Sequence, residues 1–343
     1  MKLSISELQS KLAKAASQIV SPEEAEYFAR ETIETHLRKS LRSNPLKAAI
    51  GDLEACLKHK DSPIHYKTDL PGFFSVNFEG HGPLAYMKRI HDELEQRSAK
   101  NGIAMVAFTN SNSMHTLHAW VQGLAKRGMM AMAVCNGGPA AVVPFNGTKG
   151  LLGTNPMAYG IPGDNGEIFC VDMATSEIPY FDILDANKDK TPLRERSAVD
   201  ENGEYTTDAS KALDFSKSQS DPISNIVPMG GGYRGYYIVY LMEVMTSALI
   251  GMPSGPELST DYVAEEHGSI IIAFNPKAMG TEESFKASIN ALHTALKAQQ
   301  PKKGETIRIP GEENSKQYAK LKNQEIEVDD TLAEKLDALA AQA

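Results

Sequence analysis

The stretch Gly153 to Ser176, GTNPMAYGIPGDNGEIFCVDMATS, constrains the fold of this 343-residue chain more than any other. Thr154 and Asn155 can hydrogen-bond their own backbone and Pro156 fixes φ, so Gly153-Thr154-Asn155-Pro156 reads as a turn. Met157 to Ile161 reads as a short strand, and Gly163-Asp164-Asn165-Gly166 has the chemistry of a hairpin connection. Ile168 to Met173 is apolar at nearly every position, which predicts a strand buried on both faces. Asp172 stands where that strand meets a loop, and the small residues Ala174-Thr175-Ser176 would let a ligand approach the backbone. Two readings stand side by side. In one, Asp172 caps the next element of a buried hairpin; in the other, the turn lines a ligand.

A chain of this length can bury a large core and suggests two domains. Lys and Arg total 35 against 44 Asp and Glu, and the net charge of −9 argues against a nucleic-acid surface. Cys56, Cys135 and Cys170 are widely spaced without CxxC or Cys/His spacing, so neither a disulfide framework nor a metal site is expected. The N-terminus is amphipathic and lacks a secretory apolar region. Tyr237 to Met252 is the most apolar run, but it contains Glu243 and is short for a bilayer. A cytoplasmic protein with no membrane contact is expected.

Residues 1–60 read as helices, with Ser21-Pro22-Glu23-Glu24 as a capping start and acids early, bases late in the helix that follows. Residues 58–80 are rich in turn formers and read as a crossover, with His59 and His65 solvated. His81-Gly82-Pro83 enters an amphipathic helix over Leu84 to Ala99. Strand Gly102 to Phe108, the polar loop Thr109 to His115, a helix through Trp120 and strand Met129 to Cys135 follow. Ile178 to Ala186 is predicted helical, Tyr237 to Met252 a core helix, and Gly268 to Asn275 a buried strand. Phe285, Ile289, Leu292 and Leu296 mark the core face of a helix over Thr281 to Gln299, and Thr331 to Ala341 is the last helix. Pro228-Met229-Gly230-Gly231-Gly232-Tyr233-Arg234-Gly235-Tyr236 places glycines and a base before a long apolar helix, where amide groups can meet an anion.

GTNP, DMATS, the glycine turn and the late Pro310-Gly311-Glu312 occur in an order that resembles the malate/L-lactate dehydrogenase family. That family lacks a Rossmann fold and includes ureidoglycolate dehydrogenase, diketogulonate reductase and piperideine-2-carboxylate reductase. No GxGxxG follows a strand here, which agrees. The resemblance runs from about Ser21 to Leu339. It implies an α/β chain with a mixed, largely antiparallel cofactor-binding sheet and a helical domain formed by both termini. The implied division is 1–75, with 295–343 packing back on it, for the substrate-side unit, and 76–294 for NAD or NADP.

Carried over residue by residue, the resemblance places the cofactor at Thr154, Asn155, Pro156, Asp172, Met173, Ala174, Arg234, Pro310 and Gly311. Lys47, with Ser43 and Ser113, falls on the substrate side. The chain departs from the family where proton transfer is done. Ser43 fills the slot of the family's proton-donor His, Asn44 that of the following Gly, and Lys47 that of an Arg. Ser113 fills the slot of a second His, with His115 two residues on. A serine hydroxyl is far too weak an acid to replace an imidazole near neutral pH. Asp172 and His115 are therefore the catalytic candidates, with His81 or a water held by Asp172 as further possibilities.

The implied activity is NAD(P)H-dependent hydride transfer to or from a small 2-oxo or 2-hydroxy acid, or a cyclic imino acid. The alternative is a non-catalytic relative that binds cofactor or metabolite. The resemblance also implies a homodimer acting on a small carboxylate.

Overall fold

In the computed structural model, residues 1–38, 44–114, 116–138, 140–257 and 266–343 are described. The N-terminal third is helical: α1 (Ile5–Ala16), α2 (Pro22–Arg38) and α3 (Pro45–Lys58). The predicted start of α2 is a reciprocal cap, in which Ser21 N and Oγ donate to Glu24 Oε2 at 3.1 and 2.7 Å. Asn44 caps α3, its Oδ1 accepting from Lys47 N at 3.2 Å, with Pro45 at the first helical position.

A hairpin follows where the turn formers suggested a crossover. Strands β1 (His65–Leu70) and β2 (Phe73–Asn77) pair antiparallel about Pro71-Gly72. The chain continues through α4 (Met87–Asn101), β3 (Ile103–Ser111), α5 (His118–Lys126), β4 (Met130–Cys135), β5 (Met157–Pro162) and β6 (Ile168–Met173). After α6 (Tyr180–Asp189) and α7 (Tyr233–Thr246) comes β7 (His267–Phe274), then α8 (Glu282–Lys297), α9 (Glu312–Leu321) and α10 (Asp330–Ala341).

The seven strands form one sheet in the order β1-β2-β3-β7-β4-β5-β6. Only β2 and β3 run parallel; every other neighbouring pair is antiparallel. The pleat sends Val106 and Phe108 to one face, where they join Phe28, Ile90 and Trp120 in the main core. Met105, Ala107, Met132 and Val134 face the other way onto α7 through Ile238 and Met242. Both termini build the helical layer: α10 packs on α1, and Lys2–Leu3 pairs antiparallel with Ile326–Glu327.

Three expectations about burial are corrected. Strand β6 buries only alternate residues, Ile168 and Cys170, because it is the sheet's edge and its other face meets a helix only in part. Helix α7 is not wholly core: Tyr233, Tyr237, Tyr240 and Leu241 are exposed. Helix α8 buries no residue fully, and Leu292 is exposed; it leans on the β5–β6 hairpin through His293, whose ring meets Phe169 at 4.4 Å.

Candidate functional site

Strand register brings the loops to one end of the sheet. Asn77 pairs with Thr109, Ser111 with His267, Cys135 with Ser269, Met157 with Val134, and Met173 with Met157. The chain segments after β2, β3, β4 and β6 and before β5 and β7 therefore emerge together. Asn112 N donates to His81 O at 3.0 Å and Asn136 N to Gly268 O at 3.0 Å, closing this rim.

The two turns that carry the strongest sequence signals are stitched to each other. Thr175 N donates to Thr154 O at 3.0 Å, and its hydroxyl donates to Thr154 O and Asn155 O at 3.1 and 3.0 Å. On its other side Thr175 O accepts Met229 N at 2.9 Å, and Ser176 bridges Pro228. GTNP, DMATS and the glycine turn are thus one hydrogen-bonded unit. Asn155 holds a left-handed backbone (φ 37°), which Asn tolerates better than most residues.

Asp172 is half-buried at the end of β6, and its Oδ2 accepts His118 N at 3.0 Å. A carboxylate at the start of α5 suits the helix dipole, so Asp172 does cap a helix. The helix lies earlier in the chain, not next. The same contact fixes the far end of the polar loop: Ser111 Oγ donates to His267 O at 3.2 Å at one side, and His118 meets Asp172 at the other. Ser113 lies between them, half-buried, its N donating to Asn112 Oδ1 at 2.7 Å. The buried Thr116 hydroxyl in this loop has no hydrogen-bond partner among the described residues. Burial, with the charge of Asp172 adding to it, raises the Cys135 thiol pKa. Burial likewise pushes Cys170 up to about 12. Burial thus disfavours the thiolate at both positions.

Sequence reasoning missed Glu243 as a site element. It is buried on α7 and its carboxylate accepts from Asn155 Nδ2 at 2.6 Å, Gly153 N at 3.2 Å, Gly255 N at 2.6 Å and Asn136 Nδ2 at 3.2 Å. The available signal was an acid inside the most apolar run, since a buried carboxylate needs partners.

Glu177 was also missed. Gly230 and Gly231 are left-handed (φ 73° and 65°), and Gly230 N donates to Glu177 Oε2 at 2.5 Å. Glu177 also pairs with Arg194. One amide of the glycine turn is thus already met by a carboxylate. Arg234 is exposed, its guanidinium 5.7 Å from the Tyr233 ring, and α7 has no side-chain cap at its start.

Pro310-Gly311 lies against the edge strand: a Cβ on Gly311 would meet Cys170 N at 2.6 Å. Asn314 Nδ2 and Ser315 Oγ donate to Cys170 O and Ile168 O at 3.2 and 2.8 Å. Those carbonyls point out of the sheet edge, where α9 meets them. Half-exposed Ala174 and exposed Met173 continue the strip. The edge strand β6, the turns stitched beside it and an exposed base suit a ligand with an amide end and an anionic end. A dinucleotide has that shape.

The family model described as malate/L-lactate dehydrogenase matches residues 3–337. The chain belongs to that family. It is 33% identical over 235 residues to L-sulfolactate dehydrogenase of Methanocaldococcus jannaschii, 67% of this chain and 64% of the relative, just under two thirds of its length. A solved sulfolactate dehydrogenase structure from the same organism covers 100% of this chain and 97% of that one, with a TM-score of 0.81 and 24% identity. Ureidoglycolate dehydrogenase (NAD(+)) of Escherichia coli K12 is 29% identical over 247 residues, 70% of this chain and 67% of the relative. Delta(1)-pyrroline-2-carboxylate reductase of Agrobacterium fabrum is 32% identical over 189 residues, 54% and 52% of the two chains.

In this member of the malate/L-lactate dehydrogenase family, Thr154, Asn155, Pro156, Asp172, Met173, Ala174, Pro310 and Gly311 gather about β6. Arg234 sits on the helix that the glycine turn opens. Lys47 is exposed on the first turn of α3, which packs on α2, α10 and the 84–86 turn. Ser43 and His115 lie outside the described residues. His81 is buried, with Nε2 2.9 Å from Ser62 O and Nδ1 3.2 Å from Tyr86 Oη. Burial lowers its pKa, and both ring nitrogens are occupied, so His81 is a structural residue at the helix entry. His59, expected in solvent, is half-buried with its ring 6.2 Å from that of His81; His65 is exposed. Among the described residues no cluster of His, Cys, Asp or Glu could hold a metal ion, and no helix is long and apolar enough to cross a membrane.

Proposed function

We propose that the chain is an NAD(P)H-dependent oxidoreductase that acts on a small 2-oxo or 2-hydroxy acid, or on a cyclic imino acid. The observation that carries this reading is the hydrogen-bonded unit of three motifs beside the edge strand β6. The names of the relatives support it: sulfolactate, ureidoglycolate and pyrroline-2-carboxylate are all small carboxylates.

Thr154 to Pro156, Asp172 to Ala174, Arg234 and Pro310-Gly311 would hold NAD or NADP, which supplies a hydride when bound. The backbone from Asp172 to Ala174 orients the amide end, and Arg234 offers a fork of donors to an anionic group. Lys47, with Ser43 and Ser113, receives the substrate carboxylate. Asp172 is spent in part on α5, so it fixes the loop and holds a water. His115 is the proton donor. We assign residues 1–75 with 295–343 to the substrate side and 76–294 to the cofactor side, with the sheet carrying both strands of the β1–β2 hairpin. A second copy covers the aromatic face of α7, giving a cytoplasmic homodimer.

Reduction of a ketone needs a proton delivered to the developing alkoxide, and a positioned acid contributes about 10²–10⁴-fold. A protonated cyclic imine already carries its proton. With Ser43 and Ser113 in the imidazole slots, ketone reduction rests on His115 alone, so imino acids are the better substrates. Pyruvate-type and pyrroline-type acids assayed side by side with NADH and NADPH test this. Efficient turnover of simple 2-oxo acids with no imine reduction would sink the preference. The same two serines favour a second reading, a non-catalytic binder, which predicts NADH binding without turnover of any acid in the panel.

A further inference from the structure

The Glu243 carboxylate is a node with no role in hydride or proton transfer. It reaches three separate segments: Asn136 after β4, Gly153 and Asn155 before β5, and Gly255 beyond α7. All four groups that meet it are neutral donors. A carboxylate has about four acceptor sites and no donor, so the donor set matches its ionised form. Asn155 passes the constraint on: its Oδ1 accepts Gly137 N at 3.0 Å, and its O accepts the Thr175 hydroxyl that carries the turn after β6.

Resting on the oxidoreductase reading above, we propose that Glu243 is the positioning residue that sets the cofactor-side turn through Asn155. The alternative is that it only anchors α7. An amide exchange separates the two. In Glu243→Gln, a new NH₂ faces either the Asn155 amide or the other donors. Rotating Asn155 by half a turn moves the conflict to Gly137 N without removing it. Adding Asn155→Asp removes the conflict at position 155, because the new carboxylate accepts from both Gly137 N and the amide introduced on α7, and leaves only the longer Gly153 N contact at 3.2 Å unmet. Asn155→Asp alone sets two carboxylates across the 2.6 Å contact. One of them must then hold a proton, so affinity should fall as pH rises.

NADH and NADPH are titrated by fluorescence into wild type, E243Q, N155D and N155D/E243Q, with melting temperatures and steady-state rates recorded for each. E243Q is expected to weaken the dissociation constant of the preferred nucleotide about tenfold or more, with kcat at saturating cofactor within about threefold of wild type. The double variant is expected to return within about threefold of wild-type affinity. Wild-type affinity in E243Q overturns the proposal. So does a folded double variant that binds no better than E243Q, since a mere anchor gains nothing from the exchange. If neither variant folds, Glu243 is a folding element and the proposal falls. Wild type that binds neither nucleotide overturns the oxidoreductase reading itself, a result distinct from any variant outcome.

Discussion

Glu31 and Glu243 are both acids buried in helices, and they are held in opposite ways. Glu31 on α2 meets the Lys126 ammonium at 2.8 Å and the Gln122 amide at 2.8 Å, with Arg30 at 3.5 Å. Glu243 on α7 meets four neutral donors from loops. Charge against charge locks two helices, α2 and α5, whose positions are fixed by packing anyway. Charge against amides instead ties together three separate loop segments. Asp52 lies between the two cases. It is a fully buried acid on α3 that accepts Leu84 N at 3.2 Å and Ala85 N at 3.1 Å at the start of the turn before α4. Buried acids in the helical layer therefore tie packed elements together, whereas Glu243 ties together loops at the end of the sheet.

The contrast is sharpest for the proton donor. His115→Ala should lower turnover of 2-oxo acids by about 10²–10⁴-fold and of cyclic imino acids far less. Equal losses on both substrate classes would mean that the loop carries binding and not protonation. On the helical side, Asp52 sets the next largest effect. Burial pushes its pKa up to about 7, although the Leu84 and Ala85 amides pull the other way. Between about pH 4, where the unfolded carboxyl ionises, and about 7, the folded state holds more protons. Stability should therefore fall as pH rises through that window, on the order of 2–4 kcal/mol, and level off above it. Urea midpoints across pH for wild type and Asp52→Asn check this; an equal slope in both would clear Asp52. Cofactor affinity should not follow that slope.

A smaller effect is expected from Gly235→Ala at the glycine turn. The added Cβ would stand 1.8 Å from Met229 O, a backbone atom that cannot rotate away. The turn must shift, costing about 1–3 kcal/mol and loosening the Met229–Thr175 bond. Nucleotide affinity should fall with the melting temperature. A fall in stability alone would separate the glycine turn from the ligand site.

The sheet end was legible where local chemistry and tertiary role agree. Gly153 to Pro156 must turn whatever surrounds it, and the two strands around Asp164 form as the residues dictate. The hairpin over 65–77 was not read, because Leu70-Pro71-Gly72 was counted with the other turn formers and not as a turn between two strands. Helix α7 was read as core from its apolar residues, since a sequence does not distinguish an internal partner from an external one for Tyr237 and Tyr240. Of the site, the residues that a ligand would touch carry motifs. Those that hold them, Glu243 and Glu177, are single acids whose partners come from far along the chain, and no spacing reports such contacts.

The smallest expected effect is also the most direct test of the contrast between the two glutamates. In Glu31→Gln the side chain keeps its length and one acceptor, while Lys126 keeps Glu34 at 2.9 Å. Lys126 is also partly solvated, so its charge is not stranded by the loss. The loss should be about 1 kcal/mol, read as a drop of a few degrees in melting temperature. Packing of α2 on α5 survives it, because Phe28 and Trp120 fill the core between them regardless. Nucleotide affinity should stay at the wild-type value, because among the described residues no side-chain hydrogen bond links Gln122, Lys126 or Arg30, the partners of Glu31, to the segments that Glu243 gathers. If Glu31→Gln weakened nucleotide binding as much as Glu243→Gln, α5 and its contact with Asp172 would transmit the change. The two buried acids would then be parts of one network and not two devices.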